Sequence, residues 1–466
     1  MTDGHDGLNA WLSEPVQPLP PPPGTFERIR RQARRRKRRR AMLSAAGAAL
    51  VVAAAVAVPQ LVGSQFRPSQ QVADNQRSVL QPHRHVNKPT LGPPSPASVS
   101  PTPVPSTSAP PPVPPNFAPT SVTFVGTATG WTLGQAGTPG QCGPPKAYVC
   151  TSVARTDDGG RTWRGVPAPV AGSPHGGTGV SQLRFLDTGN GWAFGPELWA
   201  THDGGTHWAR IPTGGMRVTS LETMGDRVFA VWARCTGTGA DFAANCTDFA
   251  LYSSPAAGDA WAPVPGTDAS FTLSGTASAA GLVLTQSSAY LLTPSGVLMR
   301  GATLGGKPWR PVTSSSPPQP LPCSPGAAQP DGQPSGAMLA ATGPGLALLC
   351  AASPAGQSQP KKLYYSVDGG RTWRLAGSPP RAGTAASLSG TPDGPVVVAT
   401  SQGLVVSADG GATWRAATVA AAPPGGFSYV GMTTSLQGIA VPADPAQHAL
   451  WFTYDGGSTW TRSPLG

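Results

Sequence analysis

The chain has 466 residues, a net charge of +11, 59 glycines and 55 prolines, a composition of turns and linkers around a core. The charge is unevenly placed. Residues 1–40 hold ten basic and four acidic side chains, which leaves +5 for all the rest, so the overall basicity makes no case for a nucleic acid partner.

Residues 1–40 open as a polar, proline-rich tail with no apolar period, read as disordered, and close in a dense basic block from Arg28 to Arg40. Ala41 to Val62 then runs for 22 positions without a charge. At 1.5 Å per residue that is roughly 33 Å of helix, enough to span a bilayer. The basic block on its N-terminal side places the N-terminus in the cytoplasm and the bulk of the chain outside. The same block is expected to lie on anionic headgroups. A cleaved signal peptide, with Ala55-Val56-Ala57 as the cleavage site, competes with a retained anchor, but a 40-residue leader is long for one. Residues 63–118 form a Pro/Ser/Thr-rich linker suited to extended polyproline II.

From residue 119 to 466 one pattern recurs. It reads Thr156-x-Asp158-x-Gly160-x-Thr162-Trp163, then Thr201-x-Asp203-x-Gly205-x-His207-Trp208. It returns as Ser366-x-Asp368-x-Gly370-x-Thr372-Trp373, Ser407-x-Asp409-x-Gly411-x-Thr413-Trp414 and Thr453-x-Asp455-x-Gly457-x-Thr459-Trp460. Two worn copies fill the middle. Ser254, Gly258 and Trp261 keep the register with Ala256 at the Asp position, and Gly306 and Trp309 keep less, with Leu304 there. The tryptophans recur every 41 to 64 residues, the period of a propeller blade, and seven copies imply seven blades.

Within a copy, an apolar run such as Leu363-Tyr364-Tyr365 reads as a strand, Asp-Gly-Gly as a hairpin turn and Thr-Trp-Arg as the next strand. The Ser/Thr and Asp side chains suit bonds to the turn's own amides, and the Trp suits packing between sheets. Ser121 to Val125 and Trp131 to Gly134 read as the first two strands of blade 1, and Leu183 to Leu186 and Gly191 to Gly195 as those of blade 2. Second strands of later blades are sought at Val228 to Arg234, Leu282 to Thr285, Leu346 to Cys350, Val396 to Thr400 and Gly438 to Val441.

The pattern resembles the Asp-box, or BNR repeat, of sialidases, sortilin-like receptor propellers and photosystem II stability/assembly factor-like proteins. The unit from Leu183 to Trp208 is most similar to the last group. The resemblance implies an all-β, seven-bladed β-propeller in which the box residues staple the fold. It implies no activity by itself.

All six cysteines follow the apolar segment, which points to disulfides in an exported domain. Proximity favours Cys142–Cys150, Cys235–Cys246 and Cys323–Cys350 among fifteen possible pairings. They fall in loops between second and third strands, or in connectors between blades. In an up-and-down blade those loops share the face opposite the Asp-box turns. Loops on a rigid scaffold carry recognition, so this is the expected binding face, with Lys146, Tyr148, His175, Arg234, Asp241, Phe242, Lys361 and Lys362 as candidate contacts. The plain alternative is that these are solvated loop residues.

Enzyme signatures are sparse. Beyond residue 62 only Glu197 and Glu222 supply glutamate, and Ala209-Arg210-Ile211-Pro212 resembles a sialidase arginine motif in letters but follows the second box rather than preceding the first. There is no G-x-S-x-G, P-loop or H-E-x-x-H, and no metal or cofactor is expected. The sequence reading is a non-catalytic membrane-anchored module for an envelope protein or glycan. A sialidase-like glycoside hydrolase and a signalling protein acting through its tail are the alternatives.

Overall fold

The computed structural model describes residues 111–136, 150–172, 178–237, 246–264, 281–285, 288–292, 297–302, 310–312, 321–323, 334–342, 345–352, 358–390 and 394–465. All lie within the unit Thr102–Gly466. Among them no helix is long and apolar enough to cross a membrane, and residues 41–62 fall outside them.

Seven antiparallel sheets follow one another along the chain, each meandering through four strands from the innermost, a, to the outermost, d. Blade 1 is β1 (Ala118–Phe124), β2 (Gly130–Ala136), β3 (Cys150–Thr156) and β4 (Arg164–Val166). Blade 2 is β5 (Gln182–Phe185) to β8 (Ala209–Arg210), through β6 (Gly191–Phe194) and β7 (Leu198–Thr201). Blade 3 comprises β9 (Arg217–Met224), β10 (Arg227–Cys235), β11 (Cys246–Pro255) and β12 (Ala262–Pro263). Blade 4 comprises β13 (Gly281–Leu284), β14 (Ser288–Leu292), β15 (Leu298–Ala302) and β16 (Arg310–Pro311). In blade 5 the strands are β17 (Pro334–Thr342), β18 (Gly345–Ala352), β19 (Lys361–Ser366) and β20 (Arg374–Gly377). Blade 6 has β21 (Ala385–Gly390), β22 (Val396–Thr400), β23 (Gly403–Ser407) and β24 (Arg415–Ala416). Blade 7 has β26 (Phe427–Met432), β27 (Gly438–Pro442), β28 (Ala449–Thr453) and β29 (Thr459–Pro464), with β25 (Thr418–Val419) added parallel to β29.

One strand assignment from the sequence is corrected. Leu282 to Thr285 is the first strand of blade 4, and the second is β14. The Thr285 amide donates to the Ser288 carbonyl at 2.8 Å, and the sequence between them has no Gly, Pro or Asn to mark a strand boundary.

Each Asp-box is a knot tied by its own side chains. In the first, the buried Thr156 hydroxyl donates to Asp158 at 2.8 Å and accepts from the Gly160 amide at 2.9 Å. The Asp158 carboxylate accepts the amides of Arg161 and Thr162, both at 2.9 Å, and the Thr162 hydroxyl at 2.6 Å. Trp163 donates its indole N–H to the Gly160 carbonyl. Gly160 has φ +90°, and a Cβ there would lie 2.3 Å from the Phe452 ring of the preceding blade, so both the turn and the blade contact require glycine. His207 replaces the usual threonine in the second box and keeps the bond, with Nδ1 2.6 Å from Asp203.

The worn third box shows what the Asp supplies. With Ala256 in its place, the Ser254 hydroxyl turns to the Gly258 carbonyl at 2.6 Å, and the buried Trp261 indole N–H has no partner. The fourth box, with Leu304, Gly306 and Trp309, lies outside the described residues.

The core is divided among the seams. Seven apolar clusters each join one blade to the next, and Trp163, Trp208, Trp261, Trp373, Trp414 and Trp460 each enter the seam with the preceding blade. The last seam closes the ring without any exchange of strands. There Val113, Phe117, Val122 and Ala154 meet Ile439, Val441, Leu450, Phe452 and Leu465. Polar ties reinforce it: Gln437 Nε2 donates to Thr127, Tyr454 to Gly159 and Ser463 to Gly160. Phe117 is fully buried, and its carbonyl lies 3.1 Å from His448 Nδ1. The closure therefore draws on residues N-terminal to residue 119, where the sequence pattern begins.

Phe117→Ala in the full chain should cost about 3–5 kcal/mol, read as a lowered denaturant midpoint, because it empties the closing seam. An unchanged midpoint would mean that the seam does not hold the ring. The box carboxylates generate a pH dependence. Burial pushes Asp158 and Asp368 up, but hydrogen bonds led by the Thr162 and Thr372 hydroxyls outweigh it and hold each at about 2. The His207 backbone amide and the Thr413 hydroxyl are the largest influences that hold Asp203 and Asp409 at about 2. Folded values below the unfolded one mean stability that is complete above the unfolded pKa and lost as the folded pKa is approached from above. The unfolding temperature should thus fall steeply between about pH 4 and 2. A flat profile across that window would contradict the role assigned to the boxes.

Candidate functional site

The c–d turns carry the Asp-boxes, so the b–c loops and d–a connectors emerge on the opposite face. Two disulfides brace that face. Cys235–Cys246 pins the ends of β10 and β11, and Cys323–Cys350 fastens the connector after blade 4 to β18. The pairing Cys142–Cys150 lies outside the described residues, as do Lys146, Tyr148, His175, Asp241 and Phe242.

The remaining sequence candidates separate clearly. Arg234 is exposed beside Cys235 and pairs with Asp248 at 3.3 Å, with both side chains more than half open to solvent. Such a pair adds little stability and leaves the guanidinium accessible. Lys362 is half-buried. Lys361 belongs to the interior of the face, and its selection as a contact residue is corrected. It is 2% exposed, and its ammonium lies 2.8–3.2 Å from the carbonyls of Gln359, Pro380, Arg381, Ala382 and Gly383. Burial pushes it down to about 8, while five carbonyl dipoles surround the protonated form. Lys361 acts as the resident cation of the connector between blades 5 and 6. Strand alternation could have revealed this, since Lys361 shares the inward face of β19 with Leu363.

A cavity of about 410 Å³ opens on this face between blades 2 and 3. It is lined by the turn Pro196–Leu198, by Arg210 and by the connector from Ile211 to Arg217. Glu197 and Arg210, weighed separately in the sequence, meet here at 2.9 Å. The second Glu197 oxygen accepts the Trp199 indole N–H at 3.1 Å. Arg217 reaches out of the cavity to the Gly237 carbonyl, beside the Cys235–Cys246 disulfide.

A second polar group sits where the innermost strands surround the propeller axis. Gly191, Val228 and Gly438 each pair with the first residue of their blade's box, Thr201, Ser254 and Thr453. The next residues, Trp192, Phe229 and Ile439, pair inward with Arg184, Glu222 and Gly431. These three therefore occupy one level of the ring. Arg184 and Glu222 join at 2.6 Å, with side chains 27% and 28% exposed. The Tyr429 hydroxyl folds over Gly431, where a Cβ would lie 2.6 Å from it, and its proximity favours the Arg184 charge. Burial pushes Glu222 up against the pull of Arg184. It also opposes the Arg184 charge, but Glu222 and Tyr429 outweigh it and raise that group. The result is a tie across blades 2, 3 and 7. Arg184 and Tyr429 were not singled out in the sequence, although aligning the inner strands on the boxes would have set Arg184 level with Glu222.

Among the described residues no group of three or more His, Cys, Asp or Glu could hold a metal ion. The family description BNR/Asp-box repeat matches residues 364–375, the fifth copy. No curated protein sequence matches the chain. Among solved structures, YCF48 bound to D1 peptide is similar at TM-score 0.47 and 18% identity, over 74% of this chain and 99% of that one. YCF48 from Cyanidioschyzon merolae is similar at 0.46 and 15%, over 74% and 97%. The extracellular domain assigned to the one component system BT4673 of B. thetaiotaomicron is similar at 0.41 and 9%, over 76% and 39%.

Replacing Lys361 by Met should remove the charged donor that five carbonyls share, of which that of Arg381 keeps the Gln359 amide, and cost at least about 2 kcal/mol. Chemical denaturation of the full chain measures this, and a neutral result would show that the carbonyls are solvated instead.

Proposed function

We propose that this Asp-box β-propeller is a membrane-anchored, extracytoplasmic binding or assembly module, with the face of the b–c loops and d–a connectors turned to an envelope protein or glycan. Residues 41–62 cross the bilayer, the N-terminus is cytoplasmic, and the block from Arg28 to Arg40 rests on anionic headgroups.

One observation carries the non-catalytic reading. Both glutamates beyond residue 62 are committed to arginines, Glu197 to Arg210 and Glu222 to Arg184, and the aspartates of the five full boxes are bound within their own turns. Hydrolysis of a glycoside ordinarily needs two carboxyl groups free to flank the bond. The disulfide-braced loops and the cavity on the opposite face support recognition instead.

A second reading has a specific observation behind it. Tyr429 lies near Arg184, which is paired with Glu222, and Tyr, Glu and Arg are residue types of a sialidase-like hydrolase. Glu222 is bound to the guanidinium there, which favours a structural tie. Signalling through the cytoplasmic tail is the remaining alternative, and it has only the sequence behind it.

The full chain in a neutral detergent should turn over none of a panel of fluorogenic glycosides, while in intact envelopes it cross-links to a defined partner through the loop face. Hydrolysis that disappears in Glu222→Gln would establish the enzyme reading. Tail-dependent transcription that survives deletion of the propeller would establish signalling.

A further inference from the structure

One contact on the Asp-box face is complete only with an extra proton. His202 is the second residue of the box in blade 2, and Asp259 is the sixth of the worn box in blade 3. Their side chains meet across the seam, with His202 Nε2 3.3 Å from Asp259 Oδ2. The equivalent positions are Val367 with Ala412 between blades 5 and 6, and Ala408 with Ser458 between blades 6 and 7, none of them charged. The contact is therefore no part of the repeat. It stands where the box has lost its aspartate.

The hydrogen bonds leading to the ring fix which atoms donate. Burial pushes the Asp187 carboxyl up, but the Asn190 side chain and the Asn190 and Gly189 amides outweigh it and hold the group below the usual carboxylate range. An ionised carboxylate only accepts. The Asn190 atom 2.9 Å from Asp187 Oδ2 is thus its Nδ2, and this turns Oδ1 to His202 Nδ1 at 2.8 Å. An amide oxygen also only accepts, so His202 Nδ1 carries a hydrogen. In a neutral imidazole the other nitrogen is then a bare lone pair. Here it would face the Asp259 carboxylate, acceptor against acceptor. The contact becomes a hydrogen bond only when a second proton enters, and an imidazole is more basic than a carboxylate. His207 in the same box is the contrast, since its Nδ1 donates to Asp203 at 2.6 Å and one proton satisfies that bond.

The charged groups around the ring, among the described residues, are already engaged. Asp187 faces it through Asn190, and Asp203 is taken up by His207. Arg155 of blade 1 approaches the second box at Gly204, with its guanidinium on Asp157. In blade 3 the Asp226 carbonyl holds the Ala256 amide and Arg227 holds Ser253. Asp259 is the carboxylate that meets Nε2.

We propose that His202 is a proton-dependent clasp, which when protonated fastens the worn turn of blade 3 to the box of blade 2 and when neutral releases it. The proton is exchanged with solvent, because the two side chains are 36% and 32% exposed. Histidine makes this exchange between about pH 5 and 8. The box carboxylates held at about 2 stay ionised throughout that window, so acidity acts on this seam without untying the boxes. The clasp gives the domain a response to the acidity of its surroundings, whatever the loop face binds.

The test is a double-mutant cycle in the full chain in a neutral detergent, with His202→Ala and Asp259→Asn read by the denaturant midpoint at pH 5 and pH 8.5. At the lower pH, Asp259→Asn should lower the midpoint, and roughly half or more of that shift should vanish in the His202→Ala background. At the higher pH the shift should be equal in both backgrounds or reversed in sign. His207→Ala in place of His202→Ala should leave the Asp259→Asn shift unchanged at both. Should His202→Ala fail to fold, His202→Phe replaces it in the cycle with the same expected outcome. Equal coupling at the two pH values would show a contact that needs no proton, and absence of coupling at pH 5 would show that the pair does not hold the seam. Either result overturns the proposal, as does the same coupling from His207→Ala.

Discussion

The structure depends on a hydroxyl that does two things at once. In every full Asp-box a buried Ser or Thr donates to the aspartate and accepts from the second glycine's amide. Neither bond alone fixes the turn. Together they hold the carboxylate where it collects one or two of the next amides and a hydroxyl or imidazole, and they hold the glycine close against the neighbouring blade. The tryptophan that follows is then delivered into the seam. Local hydrogen bonding and long-range packing are thus the same device, repeated around the ring. A repeat protein built this way places its specificity in turns and its burial in joints.

The worn copies show how much of that device can be lost. Blade 3 keeps its four strands without the aspartate, although Trp261 forfeits its bond. Compensation comes from across the seam, where His202 of the second box reaches Asp259 at 3.3 Å. Among the described residues two disulfides lie in this stretch or beside it. Cys235–Cys246 lies in blade 3 and Cys323–Cys350 ties blade 5 to the connector after blade 4.

Much of this was legible in the residues because the repeat is local. The box spacing set the blade count, the strand order and the two faces, and cysteine proximity matched both described disulfides. What escaped is non-local. Leu282 to Thr285 looked like a second strand because no Gly, Pro or Asn separates it in sequence from the next apolar run. Lys361 looked like a loop cation because charge suggested solvent, whereas alternation along β19 turned it inward among carbonyls. Arg184, Glu222 and Tyr429 come from three blades, and no single stretch of sequence joins them. Glu197 and Arg210 were each weighed separately in the sequence. Their pairing shows only once the turn before β7 is folded against β8.

The entry of the chain into the ring carries a mechanical consequence. Pro111 accepts a bond from the Gly165 amide on the outer edge of blade 1, and from there the chain passes inward to seat Phe117 at the seam with blade 7. Blade 7 has its own outer edge covered by β25. Tension arriving along the chain from the N-terminal side would therefore be borne first by the residues that complete the circle. The joint that makes seven sheets into a closed ring is also the point at which the chain enters it.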